Sequence, residues 1–230
     1  MKLISISGKA GSGKDTVRAI IEAELFKQTG VRLTPISFAG PLKEALCLWF
    51  GWDLHRLTHD FPYKEGGLGN TDPSDIDPYC VALGMTRRVI MQKFGTECLR
   101  QGMHRDFWII LQEIGIKLGR IPGEVFIVSD ARFMNELEFA KRNDGYMIHV
   151  RSVSVREGQT TDEALGDERV STLTTHTGHA SENEFEQWDA YTNRIINYKF
   201  EALHEEDSKR IFREFVVNTV VPDIKGRMGL

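Results

Sequence analysis

The chain's 230 residues suit one globular domain with room for an excursion, and a content of 41% hydrophobic and 27% charged residues excludes disorder by composition. A formal net charge of -4, from 29 basic against 33 acidic residues, gives no broad attraction to a nucleic-acid backbone or an anionic membrane, so neither is expected as a partner and any phosphate must meet positive charge locally. Three scattered cysteines, Cys47, Cys80 and Cys98, point to a reducing compartment and no apolar run approaches the roughly 18 residues of a membrane span, so the expected location is the cytoplasm.

Leu3, Ile4 and Ile6 form a short apolar run, and after a glycine-rich turn Val17, Ile20, Ile21 and Leu25 recur at helical spacing up to Thr29-Gly30. Strand, loop and helix are predicted in that order. The turn, Gly8-Lys9-Ala10-Gly11-Ser12-Gly13-Lys14, matches G-x-x-x-x-G-K, with Asp15 where the usual motif has Ser or Thr and with Thr16 one place late. Glycines let backbone amides turn inward around phosphate oxygens, and the following helix N-terminus presents unpaired amides to an anion. Lys14, read as an exposed loop lysine, adds a point charge near the β and γ phosphates, and Asp15 can hold Mg²⁺ through a water. A strand before the loop and an amphipathic helix after it favour phosphate binding over a ligand-free turn.

A second strand is predicted at Leu33 to Phe38, then a helix opened by Gly40-Pro41 with Leu42, Ala45, Leu46 and Trp49 on one face; this βαβ pattern implies a parallel sheet. From Gly51 to Gly84 glycines, prolines and aspartates favour turns over regular elements, and residues 52–84 are read as an insertion in a single domain spanning 1–230. Helical periodicity resumes over Thr86 to Gln101, with Arg88, Gln92, Gly95 and Thr96 on one stripe and Ile90, Phe94 and Cys98 expected to bury on the other. A further helix is expected from Asp106 to Leu118, with Trp108 better placed in the core than on a ligand. Val125 to Val128 reads as a buried strand ending on Ser129-Asp130, followed by a helix marked by Phe133, Leu137 and Ala140 and a strand from Tyr146 to Val150. Asp130 suits either a ligand at the sheet edge or a helix cap. Residues 152–187 are polar and aperiodic, as in a lid; Arg194 to Tyr198 is a last strand candidate and Phe200 to Val217 the closing helix. His176 and His179 have no third close ligand, so zinc is not expected, and His55 and His59 read as solvated.

Five segments together resemble the bacteriophage deoxynucleoside monophosphate kinases: Ser7 to Thr16, including its Asp15; Ala39-Gly40-Pro41-Leu42-Lys43; Arg87 to Thr96 with Asp106-Phe107-Trp108; Asp130-Ala131-Arg132 with Glu136; and, more weakly, His179-Ala180-Ser181-Glu182 with Ile195-Ile196-Asn197. The resemblance spans most of the chain and implies an α/β P-loop NTPase fold, a central parallel sheet flanked by helices of the nucleoside monophosphate kinase type. It further implies Mg²⁺-dependent transfer of a phosphoryl group from ATP to a deoxynucleoside 5′-monophosphate, in the host cytoplasm if the chain is phage-encoded.

The implied ATP site is Gly11, Ser12, Gly13, Lys14, Asp15 and Thr16, with Asp15 and Asp130 toward the metal. Leu42, Lys43, Arg88, Gln92, Gly95, Thr96, Trp108 and Asp130 would hold the acceptor, and Lys14, Arg132 and Arg88 would stabilise the transferring phosphoryl group. The family has a basic side chain inside the loop where this chain has Ala10 and Gly11; Arg88, Arg132, Arg151 and Arg156 are the candidates to replace it. A dephospho-coenzyme A or phosphomevalonate type of kinase and a nucleotide-binding regulatory module are the alternatives. The oligomeric state is left open, a homodimer among the options.

Overall fold

The computed structural model describes residues 1–8, 12–69, 72–154, 194–200, 210 and 212–230. These form two compact units, one of Met1–Ile36 with Gly115–Leu230 and one of Ser37–Ile114.

The first unit is built on β1 (Lys2–Ser7), α1 (Lys14–Thr29), β2 (Leu33–Ile36), β3 (Val125–Ala131), α8 (Met134–Arg142), β4 (Tyr146–Ser154) and β5 (Arg194–Phe200). The strands lie in the order β2-β3-β1-β4-β5, every neighbouring pair parallel, with β1 in the centre. Parallel strands covered on both faces need apolar residues at successive positions, which explains why Val125, Phe126, Ile127 and Val128 are all buried without alternation. On one face Ile4, Ile6, Ile127, Ile148 and Val150 pack with Val17, Ile20, Ile21 and Leu25 of α1 and with Val216, Val220, Val221 and Ile224. Leu3 points the other way, on the side of α8, where Leu137 and Ala140 are also fully buried. The α/β P-loop architecture expected from the sequence is present, with β1 feeding its glycine-rich turn into α1 at the middle of the sheet.

The chain closes later than the sequence suggests. Of the predicted helix 200–217, Phe200 instead ends β5 and residues 201–209 and 211 lie outside the described residues; from Phe212 the helix continues through a π-helical turn, Val216–Val220, into α9 (Val221–Met228). Pro222 does not stop it because it lies in the first turn of α9, where the missing N–H would have no helical partner. The lid-like range 152–187 reaches the end of β4 at Ser154, and from 155 onward, with Arg156, His176, His179 and Ser181-Glu182, it is outside the described residues.

The second unit is helical: α2 (Gly40–Phe50), α3 (Leu54–His59), α4 (Phe61–Glu65), α5 (Pro78–Leu83), α6 (Arg87–Gln92) running on as a π-helix over Lys93–Gln101, and most of α7 (Phe107–Lys117). Three of these helices fall where turns were expected, between Gly51 and Gly84. Aspartates that look like turn formers act here as caps: Asp53 accepts from the Arg56 amide, Asp60 from the Tyr63 amide, and Asp77 from the amides of Tyr79 and Cys80. Pro62 and Pro78 occupy first turns, where proline is compatible with a helix.

Candidate functional site

In the first unit the predicted residues gather at the sheet edge. Ser7 ends β1 with its hydroxyl 2.8 Å from Nδ1 of the buried His149 on β4, which ties the departing strand to its neighbour. Gly8 then turns the chain at φ 151°, and a Cβ there would overlap both the Ser12 hydroxyl and the Val150 carbonyl oxygen. The second is backbone and cannot swing aside, so only glycine fits. Gly8→Ala should therefore lose phosphate affinity along with stability, read as a weaker ADP isotherm and a lower Tm; wild-type affinity in that variant would remove the tight turn from the site.

Lys9, Ala10 and Gly11 lie outside the described residues, and the loop re-enters at Ser12 and Gly13, the latter left-handed at φ 87° as it opens α1. The Ser12 hydroxyl is buried and has no hydrogen-bond partner among the described residues, an arrangement that costs about 1–3 kcal/mol unless something accepts or donates there. A phosphate oxygen is such a group, and the 16-residue α1 that starts two residues later leaves its first amides without helical partners. Lys14 is the first residue of α1 and is buried, not exposed as the sequence reading had it, while Asp15 and Thr16 are exposed.

β3 supplies the neighbouring groups. Its register against β1 shifts between Ser5 and Ser7, whose partners are Val128 and Ala131, so β3 carries one extra residue at its C-terminal end. Within this bulge the Ser129 hydroxyl donates to Asp15 Oδ1 at 3.2 Å. Asp130 is half-buried and does not cap α8, so of its two sequence readings the capping one falls away. The N-cap is Phe133, and the buried Glu136 carboxylate accepts from the amides of Arg132 at 2.6 Å and Phe133 at 3.1 Å. Glu136 thereby fixes the backbone from which Arg132 projects.

Within the second unit the structure gathers Leu42, Gly95 and Trp108. The Trp108 indole N–H donates to the Gly95 carbonyl at 3.0 Å and the ring is buried, which is the core placement preferred from the sequence. The room expected beside Gly95 is filled by Leu42, whose Cδ2 would lie 2.8 Å from a Cβ at that position. Lys43 lies in the first turn of α2, half-buried, with its amide bonded to the Ala39 carbonyl at 3.1 Å. Arg88 is held by Glu65, Nη1 to Oε1 at 2.8 Å, both half-buried. Gln92 is half-buried at the end of α6.

The helical stripes differ from those expected. Phe94 is half-buried and Cys98 exposed, whereas Arg87, Ile90, Met91, Gly95 and Thr96 are buried. The π-helix from Lys93 places more residues in each turn than an α-helix, so a phase extrapolated at α-helical spacing fails beyond Gln92.

Arg87, beside the expected Arg88, is structural. Its guanidinium reaches Asp75 at 2.9 Å, the Tyr63 carbonyl at 3.0 Å and Asp77 at 3.7 Å, and lies 3.9 Å over the Tyr63 ring. Burial alone pushes its pKa down; hydrogen bonding and charge from Asp75, helped by Tyr63, more than reverse this, so the net shift is upward.

No protein-family model matches the chain. It is 26% identical over 208 residues, 86% of this chain and 90% of the other, to a protein of Acanthamoeba polyphaga mimivirus provisionally named deoxynucleotide monophosphate kinase. Among solved structures it is similar to dephospho-CoA kinase from Campylobacter jejuni, at 17% identity and a TM-score of 0.45, with 99% of this chain and 100% of that one covered. It is also similar to shikimate kinase from Bacteroides thetaiotaomicron, at 14% identity and a TM-score of 0.35, with 93% and 97% covered.

Proposed function

We propose that the chain is a P-loop kinase that transfers the γ-phosphoryl group of ATP to a deoxynucleoside 5′-monophosphate. The observation that carries this reading is the turn from Ser7 to Lys14, where a strand end, a buried unpartnered Ser12 hydroxyl and the amide end of α1 are set beside a lysine. The family resemblance of the Ala39 to Lys43 and Arg87 to Thr96 segments and the name of the mimivirus relative support a deoxynucleotide as acceptor.

An acceptor phosphate is already ionised at neutral pH, so no general base is required of the protein. Its oxygen bonds to the γ-phosphorus as the bond from that phosphorus to the β,γ-bridging oxygen breaks, and ADP leaves with the electron pair. The chain's own part is alignment and charge: Ser12, Gly13, Lys14 and Thr16 at the donor nucleotide, Lys14, Arg132 and Arg88 on the transferring group, Lys43 and Arg88 on the acceptor phosphate. Mg²⁺ typically takes one or two carboxylates and completes its shell with phosphate oxygens and water. Among the described residues no group of three or more His, Cys, Asp or Glu converges, and the sparse oxygen donors Asp15 and Asp130 fit that mode. When bound, the ion would neutralise charge on the β and γ phosphates.

The test is an acceptor panel with ATP and Mg²⁺, read as acceptor-dependent ADP release. At least one of dTMP, dGMP and dCMP should react faster than its ribose counterpart at equal concentration. Lys43→Ala and Arg88→Ala should each raise the acceptor KM, and raise it more than the ATP KM, by about tenfold or more, because a charge-assisted contact contributes about 1.5–3 kcal/mol. Activity confined to dephospho-coenzyme A or phosphomevalonate would overturn the nucleotide acceptor, and no acceptor-dependent release at all would favour a regulatory nucleotide-binding module.

A further inference from the structure

In P-loop NTPases generally, the loop's Ser or Thr, directly after the lysine, and an aspartate at the end of a neighbouring strand hold Mg²⁺ between them. Here the residue after Lys14 is a carboxylate, Asp15, and the group that meets it from the end of β3 is a hydroxyl, Ser129. The two are joined by a hydrogen bond from Ser129 Oγ to Asp15 Oδ1 at 3.2 Å. Ser129 is 7% exposed while Asp15 is exposed, so the hydroxyl is the fixed member and the carboxylate faces outward. The bulge in β3 places one extra residue between the partners of Ser5 and Ser7, in the segment that contains Ser129.

We propose that at the Asp15–Ser129 pair this chain carries the usual hydroxyl and carboxylate with their owners exchanged, beside a second carboxylate, Asp130, that β3 also carries, and that Ser129 is a positioning residue that orients the Asp15 carboxylate toward the nucleotide-bound cation. The inference rests on the phosphate-loop reading above. One carboxylate oxygen is engaged by Ser129; among the described residues no hydrogen bond to the other is seen, and that oxygen is the one offered to the cation or to a water on it. An aspartate on the first turn of α1 is otherwise a mobile surface side chain, and a donor fixed in the strand removes that freedom before the ion arrives. The arrangement accounts for the departure of this loop from the generic pattern at Asp15 without loss of either chemical group.

The exchange can be tested by isothermal titration of full-length protein with a non-hydrolysable ATP analogue, in EDTA and across a Mg²⁺ series, for wild type, Lys14→Ala, Ser129→Ala, Ser129→Thr, Asp15→Ser, and the double variant Asp15→Ser/Ser129→Asp. Ser129→Ala should shift the Mg²⁺ dependence of analogue affinity by about 10–100-fold in Mg²⁺ concentration while leaving affinity in EDTA and the Tm near wild type. A purely structural role for Ser129 would instead move all three together. Ser129→Thr, which keeps the hydroxyl, should retain the wild-type dependence, Asp15→Ser should lose it, and the double variant should regain most of it by restoring the generic arrangement. A folded Ser129→Ala variant with wild-type Mg²⁺ dependence, or a folded double variant no better than Asp15→Ser, overturns the exchange and leaves the phosphate-loop reading standing. Wild-type protein that binds the analogue no better than Lys14→Ala overturns the phosphate-loop reading, and the exchange with it.

Discussion

Lys14→Ala should cut turnover by on the order of a thousandfold or more while leaving the fold intact, because the lysine acts on the charge of the transferring group and not on the core. Its burial at the first position of α1 sharpens this expectation. A cation there faces the positive end of the helix dipole, an unfavourable placement of about 0.3–1 kcal/mol that a bound anion offsets. Removing the charge should therefore leave the Tm unchanged or slightly raised without nucleotide, and the stabilisation that ATP confers on the wild type should largely vanish. Thermal melts by circular dichroism and a coupled ADP-release assay measure both. Turnover within tenfold of wild type in the folded variant would remove Lys14 from the chemistry.

Arg87→Ala should be the most destabilising single change in the helical unit, by about 3–5 kcal/mol. It strips the partner from Asp75 and Asp77, both largely buried, and removing one member of a buried pair leaves an uncompensated charge. Trp52, whose indole N–H donates to Asp77 at 2.7 Å, belongs to the same cluster. Arg88→Ala is the internal contrast: its ion pair with Glu65 is only half-buried, so it should cost no more than about 1 kcal/mol. The fully buried Cys80 offers a local readout. Burial, reinforced by Asp77, pushes its thiol pKa up to about 12, so in the intact unit it resists alkylation at neutral pH while the exposed Cys98 reacts. Arg87→Ala should expose Cys80 to the reagent; a variant that melts within 1 kcal/mol of wild type and keeps Cys80 protected would show that the cluster is not what holds the unit together.

What was legible in the sequence followed from periodicity and from short-range chemistry. The β1, turn and α1 segment could be read because a short apolar run, glycines, a lysine and helical apolar spacing occur within about two dozen residues, and VFIV at 125–128 could be read because a doubly covered strand needs an unbroken apolar run. The helices α3 to α5 were hidden because aspartate and proline signal turns and helix starts alike. Asp60-Phe61-Pro62 and Asp77-Pro78 carry the cap-then-proline signal that distinguishes the two, and it went unused. The phase error at Phe94 and Cys98 arose because a π-helix leaves no mark in residue type. Glu65 and Ser129 could not be found from sequence, since each acquires its role from a partner 23 or 114 positions away. Glu136 belongs to the Asp130-Ala131-Arg132 motif, yet only the structure shows that it grips the backbone behind Arg132.

The central place of β1 also governs the order in which a ribosome-borne chain can assemble its parts. Its ladder partners, β3 and β4, begin at Val125 and Tyr146, so β1 must wait for roughly 120 further residues before either edge is paired, about 6–24 seconds at roughly 5–20 residues per second. The helical unit from Ser37 to Ile114 closes over contacts within its own contiguous stretch and emerges entirely within that interval. The residues proposed to bind phosphate, between β1 and α1, thus come together as a site only after the intervening unit has been translated, and a nascent chain should not capture nucleotide through a completed loop before β3 leaves the exit tunnel.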